Sequence, residues 1–305
     1  MFHNYSDRKR AILALILANI IWGAASPIFK FSLQNIPPFT LALFRFTIAS
    51  LILLPFVHKE LHRFTNEVRN WKEIVLYSLS GVTINIIFFF LGLKLTESIN
   101  APIIGSAGPI VIIIASSFFL KEKITHKKII GVGTSFAGVV LIILLPLLEK
   151  GIDATILGNL FLVLATLGAV GQTLVGRNIA SKYSPLPLTF WAFLIGSITF
   201  IPFAFGELMN LPPLDYRAFI GIAYGAIFSS ALAYSLYAWG LSKIQASEAG
   251  LFAYIDPVVA MAIAYPLLGE KPTGLFVIGS LLVFIGIYIA EGRIQYHPIN
   301  KLFKE

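Results

Sequence analysis

Long apolar runs, separated by short charged or Pro- and Gly-containing segments, recur along the whole chain. Each run has about the 20 residues that a helix needs to cross a bilayer core of about 30 Å. The pattern therefore predicts an all-α integral membrane protein with ten transmembrane helices. We number these spans 1 to 10, and they lie near residues 11–31, 38–57, 73–95, 99–120, 128–147, 156–176, 186–206, 217–241, 249–268 and 273–290.

The composition excludes a water-soluble fold. Of the 305 residues, 57% are hydrophobic and only 12% are charged, whereas soluble domains carry roughly 25% charged residues. The absence of cysteine excludes disulfides and thiolate metal sites. The net charge of +8 does not indicate nucleic-acid binding, because the basic residues lie in short loops between apolar runs.

The basic residues predict the orientation. With a cytoplasmic N-terminus, 17 of the 23 Lys and Arg residues fall on the cytoplasmic side and five on the other, and only Arg45 lies well inside a span. This bias follows the positive-inside rule. We therefore place both termini in the cytoplasm and the protein in the inner (plasma) membrane as a multi-pass protein.

The longest predicted loop covers residues 58–72. Its apolar residues Leu61, Phe64, Val68 and Trp71 recur at helical spacing among charges. Two interpretations stay open at this point: a segment that lies flat on the inner leaflet, or a solvated loop.

The two halves of the chain repeat one another. A shift of 148 positions places Pro109 on Pro257 and aligns the segments at 122–125 and 270–273, both Glu-Lys-x-Thr in pattern. We therefore divide the chain into repeats at 1–148 and 149–305, the second with a short cytoplasmic tail. Because each repeat has five spans, the second must enter the membrane from the opposite side. Such inverted repeats are typical of proteins that open a central site to one side and then to the other.

At these residues the chain resembles the drug/metabolite transporter superfamily, specifically its EamA-type ten-helix members. The resemblance lies in "WGAASPIFK" (22–30), "RFTIASLILLP" (45–55) and the paired hairpins at 108–125 and 256–273. Asp256 departs from the pattern, in which Glu is expected before the ninth-span proline. The resemblance implies secondary transport of amino acids, their derivatives or other small metabolites.

Polar residues at membrane depth are costly and mark either helix packing or a substrate path. In span 1, Asn19, Gly23, Ser26 and Lys30 share one face, and Trp22 borders it. Asn19 and Trp22 fit a cavity wall and close packing equally well. Lys30 fits a snorkelling interface residue better than a residue at an external mouth.

Further cavity candidates are Asn85 and Phe88 in span 3, Gln172 in span 6, and Tyr234 and Tyr237 in span 8. A cavity lined by aromatic rings and a few amides suits a small amphipathic metabolite. For each of these residues, packing between helices remains an equal alternative.

Four residues are candidates for gating, hinge or coupling roles together with Lys30. Arg45 must face protein or water inside span 2. Pro109 and Pro257 interrupt spans 4 and 9, either as kinks that act as hinges or as breaks that expose half-helix ends. Asp256 is a candidate to cap such an end or to couple transport to protons.

The predicted function is secondary transport of small metabolites by alternating access, with amino acids or related amphipathic compounds as substrates and export as the direction. The alternatives are a lipid flippase and a non-catalytic membrane scaffold. We expect no enzyme activity, cofactor, metal or nucleic-acid partner. Besides the substrate, we expect the lipid bilayer as partner, proton coupling, and a monomer or a weak homodimer.

Overall fold

Helices occupy the described parts of the predicted spans. The computed structural model describes residues 5–108, 110–111, 126–150, 154–179, 182–241, 243 and 250–291. Six spans are single α-helices within these residues: Tyr5–Ser32, Pro38–Glu67, His126–Lys150, Ala154–Ile179, Pro185–Met209 and Gly274–Glu291, which are spans 1, 2, 5, 6, 7 and 10.

Spans 3 and 8 each contain a π-helical segment at the same place in their repeats. Span 3 runs as Trp71–Ser78, the π-helix Leu79–Ile84, and Asn85–Leu95. Span 8 runs as Tyr216–Ala223, the π-helix Tyr224–Leu232, and Ala233–Leu241. π-Helical turns are rare and frequently mark functional sites.

Spans 4 and 9 each begin with a short helical segment. Span 4 starts with the α-helix Asn100–Ser106, and Pro109 lies outside the described residues. Span 9 starts with the 3₁₀-helix Gly250–Tyr254 and continues as the α-helix Ile255–Leu268. Pro257 is buried in the first turn of that α-helix, where its missing N–H leaves no helical hydrogen bond unmade.

The prediction of a loop over residues 58–72, flat or solvated, is wrong for most of its length. The helix of span 2 continues to Glu67, and Arg63 Nε pairs with Glu67 Oε1 at 2.7 Å on its exposed face. Phe64 and Val68 are buried in a cluster with Ile179 at the end of span 6, Leu188 at the start of span 7 and Tyr183 between them. The apolar residues at helical spacing thus belong to an extension of span 2, and Phe64 and Val68 among them pack on the ends of spans 6 and 7.

Spans 5 and 10 are repeat equivalents, and they pack on one another. The hydroxyl of Ser135 donates to the carbonyl of Val283 at 2.8 Å, and these residues are 148 positions apart. A Cβ built on Gly138 would lie 2.5 Å from the carbonyl oxygen of Gly279, and one on Gly286 would lie 2.5 Å from that of Gly131. These glycines form two repeat-equivalent pairs, so the same contact occurs twice about an approximate two-fold axis.

The outer surface suits a lipid environment. Large apolar side chains such as Phe56, Val258 and Met209 are 70%, 68% and 73% exposed. Six helices of the described residues are long and apolar enough to cross a membrane: Asp7–Ser32, Pro38–Glu67, Trp71–Leu95, Ala154–Gly176, Pro185–Met209 and Tyr216–Gly240. Three shorter apolar helices accompany them: Ile129–Ile142, Phe252–Leu268 and Gly274–Ile289.

Candidate functional site

A cavity of about 410 Å³ lies between spans 1, 2, 3, 4, 6, 8 and 9. We call it the central cavity, and both repeats contribute to its wall. Five of the predicted residues contribute to its polar lining: Trp22, Arg45, Asn85, Tyr234 and Asp256. Ser26 and Ser229 line it as well. Its apolar lining includes Phe29, Phe89, Leu162 and Val170.

Arg45 places a positive charge in this wall. Its side chain is only 3% exposed, and it donates from Nε to Ser230 Oγ at 2.9 Å and from Nη2 to Ser229 Oγ at 3.2 Å. The guanidinium carbon lies 4.8 Å from the ring centre of Phe29 and 4.7 Å from that of Phe46, a cation–π arrangement. Within the described residues, no carboxylate forms an ion pair with Arg45.

The π-helical segment of span 8 shapes the wall next to Arg45. The N–H of Ala233 bonds to the carbonyls of Phe228 and Ser230 and skips that of Ser229. The Ser229 carbonyl instead accepts a hydrogen bond from Trp22 Nε1 at 3.0 Å. The same pattern occurs in span 3, where the N–H of Asn85 bonds to Ser80 and Val82 and skips Gly81.

Aromatic rings fix the indole of Trp22. Its ring centre lies 5.2 Å from that of Tyr234 in an edge-to-face contact and 5.1 Å from that of Tyr237. Tyr234 packs in turn edge to face on Phe193 at 5.1 Å. Trp22 and Tyr234 therefore form a rigid wall in which each ring is held by another ring.

Asn85 both lines the central cavity and holds span 6. Its Nδ2 donates to the carbonyl of Ala165 at 2.7 Å. Gly168, one turn further along span 6, allows this approach, because a Cβ there would lie 2.9 Å from the carbonyl oxygen of Ser80 and 3.0 Å from the amide nitrogen of Asn85.

Four predicted cavity residues lie outside the lining. Asn19 is buried and donates to the carbonyl of Leu15 in its own helix at 2.8 Å. Phe88 packs on Phe161 at 5.8 Å, and Tyr237 packs behind Trp22 against the cluster of Ala11 and Leu15. The side chain of Gln172 lies over Gly81, where a Cβ would collide with it.

Lys30 lies in a polar cluster that joins the two repeats at the predicted external end. Its Nζ lies 3.0 Å from Glu270 Oε1 and donates to the carbonyl of Thr96 at 2.6 Å. The carboxylate of Glu270 also accepts from the backbone N–H and the hydroxyl of Ser98 at 2.9 and 2.7 Å, and from the N–H of Ile99 at 3.3 Å. We call Lys30, Thr96, Ser98, Ile99 and Glu270 the external latch.

Asp256 lies where spans 1 and 9 approach closely. A Cβ built on Gly23 would lie 2.7 Å from the carbonyl oxygen of Asp256 and 2.9 Å from its Cα. Within the described residues, Asp256 Oδ1 and Ser26 Oγ are buried without a hydrogen-bond partner. Both residues line the central cavity.

The sequence pointed to some of the remaining site residues only indirectly. Ser26 lies on the small and polar face of span 1, but the spacing does not distinguish a packing serine from a cavity serine. Ser229 contributes its carbonyl because of the π-helical register, which hydropathy does not reveal. Glu270 is visible as a repeat equivalent of Glu122, but its partner Lys30 lies 240 positions away in sequence.

Comparisons with known proteins agree with this architecture. The model of the EamA-like transporter family matches residues 9–144 and 156–291. A protein named "Uncharacterized transporter" from Archaeoglobus fulgidus is 31% identical over 285 residues, which cover 92% of this chain and 98% of its own length. The "Uncharacterized transporter YetK" of Bacillus subtilis is 28% identical over 288 residues, which cover 92% and 86%.

A solved crystal structure shares the fold. It superposes with a TM-score of 0.65 over 95% of this chain and 100% of its own, at 18% sequence identity. The double family match confirms the predicted two-repeat membrane fold. The family and the relatives' names indicate a transporter rather than an enzyme.

Proposed function

Because the chain belongs to the EamA-like transporter family, we propose that it exports amino acids or related amphipathic metabolites by alternating access. The proposed location is the inner (plasma) membrane, with both termini in the cytoplasm. The observation that carries the proposal is the central cavity, to which both repeats contribute a charged residue, Arg45 and Asp256.

The size and lining of the central cavity suit a small metabolite. Ligand pockets have volumes of roughly 300–1,000 Å³ and combine apolar walls with a few placed polar groups. The central cavity, at about 410 Å³, has phenylalanine and aliphatic walls interrupted by Arg45, Asn85 and Asp256. One amino acid with a medium or large side chain fits such a space.

Arg45 is the proposed carboxylate-binding residue. A guanidinium presents five N–H donors in a planar fork that matches a carboxylate. Ser229 and Ser230 hold Nη2 and Nε, which fixes the plane of the group and leaves donors for a ligand. A buried cation without a carboxylate partner among the described residues is costly in a membrane, and an anionic substrate group offsets that cost.

The external latch is the proposed gate on the predicted outer side. It closes span 1 and the start of span 4 against the loop between spans 9 and 10, across the repeat boundary. In the sequence, the shift of 148 positions places Asn178 at the position of Lys30 and Ala246 at that of Ser98. The latch on the predicted outer side therefore contains a lysine whose equivalent in the other repeat is uncharged, which favours closure on the outer side.

Asp256 is the proposed coupling residue for a proton gradient. It is a carboxylate at membrane depth in the wall of the central cavity, and such groups mark proton relays in transporters. Asp256→Asn is expected to abolish the stimulation of uptake by a pH gradient in proteoliposomes. Counterflow at saturating substrate should continue, because counterflow needs no gradient.

The first test of the function is a binding screen followed by transport. Purified protein is screened by thermal shift against amino acids, sugars, nucleobases and amines, and each hit is tested for counterflow in proteoliposomes. The proposal expects amino-acid hits that are exchanged by wild type and not by Arg45→Met. Counterflow of a sugar or nucleobase without any amino acid would contradict the proposed substrate class.

A lipid flippase is the alternative function, and a second cavity favours it. This cavity, of about 660 Å³, has an almost entirely apolar wall formed by spans 2, 7 and 8, including Ile52, Phe56, Leu186, Leu232 and Trp239. A fluorescent phospholipid in the proteoliposomes distinguishes the two functions. Flipping that is lost in Arg45→Met would favour the flippase over the metabolite transporter.

A further inference from the structure

We infer that Ser26 and Asp256 form a binding site for a monovalent cationic group, either the ammonium group of the substrate or a free ion such as Na⁺. The inference rests on the proposed function and deepens it, because it adds a second recognition point to the central cavity. It is carried by two oxygen atoms that have no hydrogen-bond partner within the described residues.

Both oxygen atoms are shielded from solvent. Ser26 is 2% exposed, and within the described residues neither its Oγ nor Asp256 Oδ1 has a hydrogen-bond partner. Most serines in these helices donate to a carbonyl three or four residues earlier, as Ser78 does to Ile74 at 2.7 Å. A buried hydroxyl and a buried carboxylate oxygen that lack such bonds are costly unless a ligand supplies them.

The two residues come from helices that are forced together. Gly23 lies one turn before Ser26 in span 1, and its missing Cβ allows the backbone of Asp256 to approach. The carboxylate and the hydroxyl therefore face the central cavity from adjacent helices of different repeats. This placement needs the glycine, because any side chain at residue 23 would separate spans 1 and 9.

The chemistry of the pair selects a cation. A carboxylate oxygen accepts hydrogen bonds from an ammonium group or ligates a hard metal ion, and a hydroxyl oxygen does the same. Within the described residues, no lysine or arginine forms an ion pair with Asp256. The aromatic ring of Trp22 lines the same cavity.

Arg45 and Asp256 then give the central cavity separate basic and acidic groups. Arg45 is held by Ser229 and Ser230 and forms no ion pair with Asp256. A ligand with both a carboxylate and an ammonium group satisfies the two charges at once. Recognition of the ammonium group therefore falls to Asp256 and Ser26, and recognition of the carboxylate to Arg45.

Three related ligands test the inference on purified protein. L-Phenylalanine carries both charged groups, phenethylamine lacks the carboxylate, and 3-phenylpropanoate lacks the ammonium group. Asp256→Asn is expected to weaken binding of the first two by about tenfold or more, the factor of one charged hydrogen bond, and to leave 3-phenylpropanoate unchanged. Ser26→Ala should weaken the same two ligands by a few-fold, roughly one neutral hydrogen bond.

The controls separate recognition from folding. Asp256→Glu keeps the charge and should retain measurable amine binding. Ser50→Ala removes another buried serine, whose hydroxyl donates to Thr47, and should leave all three affinities unchanged. Wild type without affinity for phenethylamine or L-phenylalanine, or an equal loss for all three ligands in Asp256→Asn, would overturn the ammonium site.

A free ion as the occupant of the site predicts a different result. If Na⁺ occupies the site, NaCl raises the melting temperature of wild type above that in choline chloride, and the difference disappears in Asp256→Asn. Unchanged affinity for the amines together with no effect of Na⁺ would overturn the whole inference. Counterflow is measured in parallel, so continued counterflow of another substrate would show that only the cation site fails.

Discussion

Lys30 and Glu270 form an ion pair of 3.0 Å between the end of span 1 and the loop that precedes span 10. Glu270 is only 8% exposed, and its other carboxylate contacts are the N–H groups of Ser98 and Ile99 and the Ser98 hydroxyl. One carboxylate thus joins the first repeat to the second. Its loss leaves the partly exposed ammonium group of Lys30 with only the Thr96 carbonyl and removes the acceptor of two N–H groups at the start of span 4.

The first prediction is that breaking this pair opens the central cavity on the predicted external side. Residue 101 lines the central cavity. Because the chain has no cysteine, the variant Ala101→Cys contains a single thiol, and its labelling rate measures access to the cavity. In Glu270→Gln, a membrane-impermeant maleimide added from outside should label this cysteine faster, about fivefold or more for a shift of about 1–3 kcal/mol between the two states. Lys30→Met should act in the same direction.

Lys271→Gln is the matched control, because Lys271 is adjacent and exposed and lies over the ring of Tyr265 rather than in the latch. Labelling in this variant should equal that of the parent. Equal labelling in Glu270→Gln and Lys271→Gln would refute the gate, whether or not transport continues.

The second prediction concerns the charge and shape of Arg45. Arg45→Met removes the proposed carboxylate-binding donors, and the affinity for substrate should fall by about tenfold or more, since hydrogen bonds to charged groups contribute about 1.5–3 kcal/mol. Arg45→Lys keeps the charge but loses the planar fork, so it should recover only part of the affinity. Equilibrium binding to solubilised protein measures both.

Arg63→Met controls for loss of an arginine from the same helix, because Arg63 is exposed and pairs with Glu67 four residues away. Its substrate affinity should match that of wild type. If Arg45→Met binds substrate as tightly as this control, Arg45 has only a structural role.

The third prediction addresses the crossing of spans 5 and 10. In Gly286→Ala, the new methyl group would meet the carbonyl of Gly131 at 2.5 Å, and overpacking of this kind costs about 1–3 kcal/mol. The melting temperature should fall by several degrees. Gly133→Ala adds the same methyl group to span 5 in open space and should leave the melting temperature unchanged or raise it.

The fourth prediction is a pH dependence outside the membrane-spanning segments. Hydrogen bonds from the Arg217 guanidinium to Asp215 lower the pKa of Asp215 below its ordinary value. A carboxyl whose folded pKa is lowered contributes stability above its unfolded pKa of about 3.9 and loses it as the pH falls further. Asp215→Asn should therefore melt below wild type at pH 7, and the difference should shrink towards pH 3.

Glu60→Gln, at an exposed carboxylate of span 2, is the comparison for this effect. A constant melting difference between Asp215→Asn and wild type from pH 7 to pH 3 would mean that the ion pair is not its source.

The sequence alone determined the membrane class and the two-repeat plan. A bilayer core requires long apolar helices, and these are visible as apolar runs. The repeat is visible because Gly, Pro and Glu-Lys recur at a shift of 148 positions. It also identified Arg45 and Asp256, because ionisable residues at membrane depth are few. These features are visible along the chain, since they depend on local composition and on length.

Only the tertiary structure decided which side chains meet. Asn85 and Phe89 line the central cavity, while Phe88 packs on Phe161. In the regular α-helix Asn85–Leu95, residues 88 and 89 lie on either side of Asn85, so the packing of span 3 decides which of the two lines the cavity. The latch between Lys30 and Glu270 depends on the packing of one repeat against the other. Such contacts arise from the register and close approach of helices distant in sequence, which hydropathy does not encode.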